Sequence, residues 1–188
     1  MALREILIFP DPRLKQKAKP VAQVDAAVRK LCDDLAETMY ESNGVGLAAP
    51  QINAHLNVIA IDVDQKEQDG EPAKKRGAGL FWLINPVVKL AEGEFSYTEG
   101  CLSIPDEYED VTRAGHIVVE YTDRDGKLKE LEAESNLLAV CVQHEMDHLI
   151  GKLFVDHVSA LKRELIKRRM KKLKAHRLAE EKGEATAL

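Results

Sequence analysis

Residues 143–151 read Gln-His-Glu-Met-Asp-His-Leu-Ile-Gly, and the centre of this stretch matches the pattern His-Glu-x-x-His. Side chains four residues apart lie on one face of a helix, so His144 and His148 can converge on one ion. Glu145 follows the first histidine, where it can act as a general base without binding the metal itself. A helix with two surface histidines and a solvated glutamate is the alternative, and a five-residue match does not exclude it.

The residues before this motif are apolar and predict a buried helix. The run 137–142 reads Leu-Leu-Ala-Val-Cys-Val, and Leu137, Val140 and Cys141 share the helix face of the first histidine. Buried imidazoles are unfavourable without partners, and a metal ion would satisfy both of them. Gly151 suits the position that follows a helix C-terminus.

Length and composition are those of an ordinary globular protein. The 188 residues, 45% apolar and 31% charged, predict one domain with a substantial core. No apolar run approaches the roughly 20 residues of a membrane span, and the short apolar run 6–9 is no signal peptide because Pro10 follows it. Three cysteines argue against a disulfide framework. We therefore expect a cytoplasmic protein that does not associate with membranes.

Charge is distributed unevenly along the chain. The net charge is −5, yet residues 160–177 hold nine Lys or Arg and a single acid, Glu164. The segment 161–177 predicts a helix with Ile166, Met170 and Leu173 on one stripe. Two interpretations stay open, namely a solvated helix that packs weakly on the domain and a basic helix that docks on an anionic partner. The apolar stripe is too thin for insertion into a membrane.

Apolar periodicity and turn residues predict the remaining elements. We expect a first helix over 21–40, and strands over 56–63, 80–84, 87–91, 94–97, 116–121 and 127–133, with the second strand ended by Asn85-Pro86. Segment 64–79 is expected to be a mobile loop without chemistry. The pattern favours an α+β fold with antiparallel or mixed sheets around a central buried helix, plus an N-terminal helix and a C-terminal basic helix. Residues 1–160 would form a single catalytic domain, and 161–188 a basic helix with a tail frayed from 179 onward.

Catalytic zinc-type sites require a third protein ligand beside the two histidines. Asp156 and His157 are downstream candidates, whereas upstream the segment 99–105, Glu-Gly-Cys-Leu-Ser-Ile-Pro, offers the Cys101 thiolate. A further small-residue segment, 44–51, reads Gly-Val-Gly-Leu-Ala-Ala-Pro-Gln and could present backbone amides and a carboxamide to a substrate, although a plain turn is the alternative.

These three segments, 44–51, 99–103 and 143–148, occur in an order that resembles the signature motifs of bacterial peptide deformylases. The resemblance extends through most of residues 4–160. It implies removal of the N-formyl group from the initiator methionine of nascent polypeptides, with release of formate. A metallopeptidase with the same helix motif, or a metal-stabilised ribosome-binding module without catalysis, are the alternatives.

The resemblance also implies roles for individual residues. Cys101, His144 and His148 would bind one divalent ion per chain, with Fe(II) favoured and zinc, nickel or cobalt possible. Glu145 would be the general base, and Gln51 and the Leu102 N–H would stabilise the oxyanion. Further residues would bind the substrate: Gly46 through its backbone, and, around the methionine side chain, Val45, Tyr97, Leu137, Val140 and Cys141.

The implied partners are N-formylmethionyl nascent peptides and the ribosome, the latter through the basic helix 161–177. We expect no DNA binding, and a monomer, because no long apolar surface stripe requires a partner. Glu99 is expected to pair with Arg113 behind the metal site. Tyr108 stands where some relatives carry an arginine near the substrate, so the resemblance implies the chemistry but not the downstream peptide contacts.

Overall fold

A five-stranded antiparallel sheet packs on the helix that carries the two histidines, and a separate two-stranded hairpin carries the cysteine. The computed structural model describes residues 2–66 and 73–186, with side chains as far as His176. Its helices are Ala26–Glu41 (α1), Leu137–Leu149 (α2) and Ala160–Thr186 (α3). Its strands are Gly46–Ala48 (β1), Val58–Ile61 (β2), Phe81–Glu92 (β3), Phe95–Cys101 (β4), Ile104–Arg113 (β5), His116–Thr122 (β6) and Leu128–Glu134 (β7). The larger sheet has the order β1-β2-β3-β6-β7, and β4 pairs with β5.

Asn136 and Gly151 define the two ends of the motif helix α2. Its first turn is capped by the Asn136 side chain, which accepts a hydrogen bond from the Ala139 N–H at 2.9 Å. Beyond the helix, Gly151 adopts a φ of +75°, and a Cβ there would lie 2.4 Å from the carbonyl oxygen of Lys15. Only glycine fits this close approach, which confirms the expected role of Gly151 at the helix end.

One face of α2 belongs to the main hydrophobic core. Ala139 and Val142 pack in a cluster with strand residues that include the fully buried Ile59, Leu83 and Ile117. At 100° per residue these two helix positions lie opposite the first histidine, so the core covers one side of α2 and leaves the other for the site. The predicted α+β fold with a central buried helix is therefore confirmed.

Helix α1 begins five residues later than the predicted start at residue 21. The Asn85 side chain forms two hydrogen bonds of 2.8 Å with the backbone N–H and carbonyl of Val21, which ties this segment to β3. Asp25 then caps the helix, because its side chain accepts a hydrogen bond of 2.9 Å from the first turn.

Strand β3 continues through Asn85-Pro86, so the prediction of two separate strands, 80–84 and 87–91, was wrong. Asn85 adopts a φ of 53°, and the pairing with β6 shifts register between Ile84 and Val87. A bulge accommodates a proline because the residue without an N–H is left out of the ladder.

The remaining strand boundaries differ from the predictions in both directions. The strand expected over 56–63 is shorter, at Val58–Ile61, and the strand over 94–97 extends to Cys101, while β6 and β7 match within one residue at each end. No element was predicted for the region of β5, because four of its ten residues are acidic and its apolar positions are few. The 44–51 segment contains the three-residue strand β1 and a 3₁₀ turn over Ala49–Ile52.

The 64–79 loop is held at both of its ends. Asp62 accepts a hydrogen bond from the Gly77 N–H at 2.8 Å, and the Gln65 side chain donates to the Gly44 carbonyl at 2.6 Å. Residues 67–72 lie outside the described part of the chain. The anchored ends bring the loop against the glycine-rich segment.

Helix α3 packs on the body of the protein through its predicted stripe. Ile166 and Met170 are buried, and Leu173 packs beside them, in a cluster with Leu7, Phe9 and Phe154 among others. The helix extends to Thr186, past the predicted end at 177, so residues 179–186 are helical where a frayed tail was predicted. Residues 187–188 lie outside the described part of the chain. No described helix has the length and apolar character needed to cross a membrane.

Candidate metal centre and substrate cavity

Three side chains bring metal-binding atoms together at the end of strand β4 and on helix α2. The Cys101 Sγ lies 3.4 Å from the His148 Nε2, and the ligand atoms of Cys101, His144 and His148 all lie within 4.8 Å of one another. The rings of the two histidines are 5.1 Å apart between centroids. Such a Cys-His₂ arrangement leaves a fourth position for water or substrate on an ion such as zinc or iron.

The two downstream candidates for a third ligand lie elsewhere. Asp156 accepts a hydrogen bond from the Lys15 ammonium group at 2.5 Å, and also caps a 3₁₀ turn. His157 contacts the Asp147 carboxylate at 2.7 Å. Among the residues described, the cysteine thus completes the histidine pair.

Glu99 and Arg113 hold the first histidine from behind. The His144 Nδ1 lies 2.7 Å from the Glu99 carboxylate, which also accepts a hydrogen bond of 2.9 Å from Arg113. Arg113 donates a further hydrogen bond of 2.9 Å to Asp147 on α2. The expected Glu99–Arg113 pair is confirmed. Because Glu99 engages Nδ1, the Nε2 of His144 is directed at the metal position.

Burial and hydrogen bonding set the charges of these groups. Burial alone would raise the pKa of Glu99, but the hydrogen bonds from His144 and Arg113 hold it below its usual value. Burial opposes protonation of His144, yet hydrogen bonds to Cys101 and Glu99 outweigh it and raise the pKa of this imidazole. Burial lowers the pKa of His148 well below its usual value. An ion on the Nε2 atoms would keep both imidazoles neutral, as metal ligation requires.

Glu145 lies buried next to the candidate ligands. Its Oε2, like the Nδ1 of His148, has no hydrogen-bond partner among the described residues. Unpartnered buried polar atoms are uncommon in proteins and indicate a missing ion, water or ligand. Burial raises the pKa of Glu145 to about 7. A Cβ at Gly46 would lie 2.6 Å from the Glu145 Oε1, so the glycine leaves room for this carboxylate.

The Gln51 carboxamide is oriented by the backbone. Its Oε1 accepts a hydrogen bond of 2.8 Å from the Ala48 N–H, which fixes the oxygen and turns the NH₂ group toward the metal site. That NH₂ group lies 3.6 Å from the Cys101 Sγ and 3.2 Å from the Ser103 Oγ. The Leu102 N–H donates no hydrogen bond to any of the residues described. The Gln51 NH₂ group is therefore directed at the space beside the thiolate, and the Leu102 N–H is available to a ligand there.

A cavity of about 410 Å³ opens in front of these groups. Its lining includes predicted site residues from all three motif segments: Val45, Gly46, Gln51, Cys101, Leu102, His144 and Glu145. Tyr108 also lines it, and so does Lys66 at the edge of the 64–79 loop. That loop was expected to have no part in the chemistry, yet its Lys66 side chain faces the substrate space.

Four residues predicted for the methionine pocket are not part of this lining. Tyr97 is half-exposed on β4, whereas Val140 and Cys141 are buried and Leu137 is partly buried on α2. The Cys141 Sγ lies 3.8 Å from the Val45 carbonyl oxygen, directly behind the lining. Their role in a methionine pocket stays a prediction.

Sequence reasoning missed two residues that position the site. Ser103 is fully buried and accepts the hydrogen bond from Gln51, and Asp147 fixes Arg113. Asp147 occupies a variable position of the helix motif, and Ser103 follows the cysteine without a periodic pattern. Neither pairing is visible before the hairpin and α2 are brought together.

Replacing Arg113 by Ala should weaken the metal site. The change leaves the Glu99 and Asp147 carboxylates without their shared cation, so His144 loses its fixed orientation. We expect metal affinity or activity to fall by about 10- to 100-fold. Equilibrium dialysis against zinc, together with a thermal melt, measures both effects. Arg163→Ala, which removes only a surface pair with Asp156, is the matched control. Unchanged affinity and melting temperature in both variants would contradict the positioning role.

Comparisons with known proteins agree on one family. The family described as "Polypeptide deformylase" matches residues 3–164 of this chain. A curated peptide deformylase of Cellvibrio japonicus is 51% identical over 173 residues, which is 92% of this chain and 96% of the relative. A peptide deformylase of Mesorhizobium japonicum is 47% identical, covering 92% of this chain and 94% of the relative.

Solved structures give the same result. A crystal structure of a peptide deformylase from Legionella pneumophila has a TM-score of 0.82 at 42% identity, and covers 94% of this chain and 98% of that one. The Ehrlichia chaffeensis peptide deformylase in complex with actinonin has a TM-score of 0.82 at 34% identity, and covers 92% and 98% of the two chains. Fold, motif order and overall identity thus agree, and the chain belongs to the polypeptide deformylase family.

Proposed function

We propose that the deformylase reaction of this chain takes place in the cavity before Cys101, His144 and His148, on the N-formylmethionine of nascent polypeptides. The observation that carries the proposal is the convergence of these ligand atoms within 4.8 Å beside a buried carboxylate that lacks a partner. A substrate found on nascent chains would place the enzyme in the cytoplasm.

The proposed cofactor is one divalent ion per chain, held by the thiolate and the two imidazoles. Bound there, such an ion would lower the pKa of a water molecule and would act as a Lewis acid toward the formyl oxygen. Fe(II) is our first choice from the family resemblance. Zinc, nickel and cobalt suit the same donor set, because one sulfur and two nitrogens are acceptable to all of them.

Glu145 is the proposed proton carrier. Its Oε2 is buried and has no hydrogen-bond partner in the described part of the chain, so it can accept a proton from the attacking water. The same carboxyl can then deliver that proton to the departing methionine amine. Burial raises its pKa to about 7, close to the pH at which one group works best as both acceptor and donor. The neighbouring cation would favour the carboxylate form.

Gln51 and Leu102 are the proposed oxyanion donors. The fixed NH₂ group of Gln51 and the free N–H of Leu102 lie on the same side of Cys101 as the cavity. Negative charge develops on the formyl oxygen during attack, and preorganised donors stabilise it more than they stabilise the neutral carbonyl.

Gln51→Ala should lower kcat by about two to three decades, since one such donor contributes that much in comparable sites. The KM for a short formyl peptide should change far less, because the donor acts on the developing charge. Steady-state kinetics with the metal-loaded variant measure both constants. Gln65→Ala, a carboxamide on the nearby loop, is the control. A fall in kcat below threefold would remove Gln51 from the proposed mechanism.

The substrate would lie along the glycine-rich segment. Gly46 and Val45 line the cavity next to Glu145, and the proposed hydrogen bond runs from the peptide backbone to Gly46. The methionine side chain would then point toward Val140 and Cys141 behind Val45. An unbranched thioether adapts well to an apolar slot of irregular shape.

Formate release from formyl-Met-Ala-Ser tests the proposal directly. Protein purified without oxygen and containing about one metal ion per chain should release formate, and the unformylated peptide should stay intact. A metallopeptidase would instead cleave the unformylated peptide. A metal-stabilised binding module would do neither, whichever ion is supplied.

We further propose that α3 docks the enzyme on the ribosome. The basic residues of this helix are divided between two uses. Lys162, Arg163, Arg169 and Lys174 pair with acids of the body. Arg168, Lys171 and Lys172 are exposed and form no ion pair with the described residues, so they are free to contact phosphates.

Reversing the free charges should separate docking from catalysis. The triple variant Arg168→Glu/Lys171→Glu/Lys172→Glu should bind ribosomes at least about tenfold more weakly, because phosphate contacts dominate such affinity. Its activity on free peptides should not change. Truncation before α3 is unsuitable, since it would also remove the buried Ile166 and Met170.

Co-sedimentation with ribosomes at fixed salt measures the effect. Lys17→Glu/Lys19→Glu/Lys127→Glu makes the same change in net charge on the body and is the control. Equal ribosome affinity of the α3 variant and the wild type would disprove docking through this helix.

A further inference from the structure

A second cavity adjoins the metal cavity. It has a volume of about 600 Å³ and is lined by the N-terminal residues 4–8 and by Asp11, Arg13 and Lys174. Three lining residues, Ser42, Leu102 and Pro105, are shared with the metal cavity. Because they share these walls, the two cavities lie side by side, and we call the pair the groove.

The N-terminal wall of this groove presents backbone groups without partners. The Leu7 N–H donates to the Gln51 carbonyl at 2.8 Å, and the Phe9 N–H donates to the Ser103 carbonyl at 2.9 Å. Backbone groups of an extended chain point alternately to opposite sides, so Ile6 and Ile8 direct their N–H groups away from that contact. Neither N–H donates a hydrogen bond to any other residue that the structure describes.

Side-chain burial follows the same alternation. Leu7 and Phe9 are buried in the core, while Ile6 and Ile8 are only partly buried. The segment is therefore fixed to the motif segments on one side.

On the other side the Arg4 N–H donates to the Thr38 Oγ1 at 3.1 Å, and the Ile8 carbonyl accepts the Asp11 N–H at 3.0 Å. The edge open to a partner therefore consists of the backbone groups of Ile6 and the N–H of Ile8. An exposed edge of this kind is a template for another extended chain.

We propose that this edge receives the downstream residues of the formylated peptide, which would pair in extended form with the backbone of Ile6 and the N–H of Ile8. The proposal rests on the proposed function, since the peptide must first place its formyl group in the metal cavity. The occupant follows from continuity, because a peptide that extends past Leu102 and Pro105 enters the second cavity.

Backbone recognition also suits the range of substrates. Nascent chains share the formylated methionine and differ in every residue after it, so only contacts to the main chain serve all of them. The charged groups of the cavity are mixed: Arg4, Arg13 and Lys174 on one side of the balance, Glu5 and Asp11 on the other. Arg13 and Lys174 both pair with Asp11, and Arg4 pairs with Asp34 on α1, so the cations of the cavity already have acidic partners and do not select acidic peptides.

Peptide length is the first test. For the metal-loaded wild type, kcat/KM should be about three- to tenfold higher for an eight-residue formyl peptide than for formyl-Met-Ala-Ser, since one or two added hydrogen bonds contribute this much. The gain should appear in KM, because the added contacts are the same in substrate and transition state. Equal kcat/KM for the two lengths would overturn the proposal.

Ile6→Pro tests the edge itself. Proline removes one free N–H and suits an extended segment, so the long peptide should fall to the level of the tripeptide while the tripeptide is unaffected. Leu3→Pro changes the same segment outside the cavity lining and should alter neither value. Should Ile6→Pro fail to fold, the wild type is assayed with eight-residue peptides that are N-methylated singly at residues four to eight. A length advantage that survives all of these methylations refutes the strand contact.

Binding separates this proposal from the deformylase proposal. Fluorescence anisotropy with an unformylated eight-residue peptide needs no turnover. If neither formyl peptide releases formate, the deformylase mechanism fails. The pairing with the N-terminal segment is tested separately by the affinity for this unformylated peptide. Ile6→Pro should weaken that affinity about threefold or more, as the loss of one hydrogen bond implies, and an unchanged affinity would refute the pairing.

Discussion

Glu145→Gln is expected to abolish deformylation while the metal stays bound. The amide cannot accept the proton of the attacking water, nor can it protonate the leaving amine, so both proton transfers lose their carrier. General acid–base catalysis contributes roughly two to four decades, and because one group serves both steps here we expect a loss of kcat near the upper limit. The side chain keeps its size, so the packing around Gly46 and Cys141 is preserved.

The measurement combines single-turnover formate release with metal analysis. The variant should contain about one ion per chain, like the wild type, because the Cys101, His144 and His148 ligands are untouched. Glu164→Gln, an exposed change on α3, is the matched control and should retain full activity. A Glu145→Gln enzyme within tenfold of the wild type would contradict the assigned role, and would require a different proton carrier.

Cys101→Ala is expected to remove both metal and activity. Only two protein ligands would remain, and a catalytic site of this kind requires three to retain its ion. We expect the metal content to fall from near one ion per chain to below about a tenth after dialysis, and kcat/KM to fall by at least about three decades. The Gln51 carboxamide would also lose the sulfur that it contacts.

Cys32→Ala provides the control for loss of a thiol. Cys32 is fully buried on α1 in a separate cluster, so its replacement should reduce stability without affecting the ion. Metal content by plasma emission spectrometry, with a formate assay on the same samples, compares the two variants. If Cys101→Ala kept a full complement of metal and its turnover, another residue would have to be the third ligand.

The histidine spacing and the family resemblance were sufficient to predict which three ligand side chains come together. The interval between His144 and His148 specifies a shared helix face, and the glycine-rich and cysteine segments resemble a known family in order and composition. The structure places these segments around one cavity. The buried helix was also predictable. An apolar run leads into it, and Gly151 follows its C-terminus, where a side chain would clash with the Lys15 carbonyl.

Features that depend on distant contacts were not predictable. The Asn85 side chain binds the segment before α1, which delays the start of that helix. The same residue lies in a bulge of β3, which therefore continues where two separate strands were predicted. Local propensity contains no information about such a contact. Strand β5 was not predicted for a similar reason: its acidic side chains are paired only once β4 and the cations of α3 lie beside it.

The pairing of α3 with the body changes how its charge acts in solution. The nine cations in residues 160–177 suggest that nine counterions would be displaced when a polyanion binds. Lys162, Arg163, Arg169 and Lys174 are already neutralised by carboxylates, which exclude small anions from that face. Few counterions are then left to release when a polyanion binds. The affinity for polyanions would therefore depend only weakly on salt concentration, and the electrostatic part of the binding free energy would be small. The ribosome docking proposed for α3 would then be a rapidly reversible contact, although the sequence of the helix alone suggests strong binding.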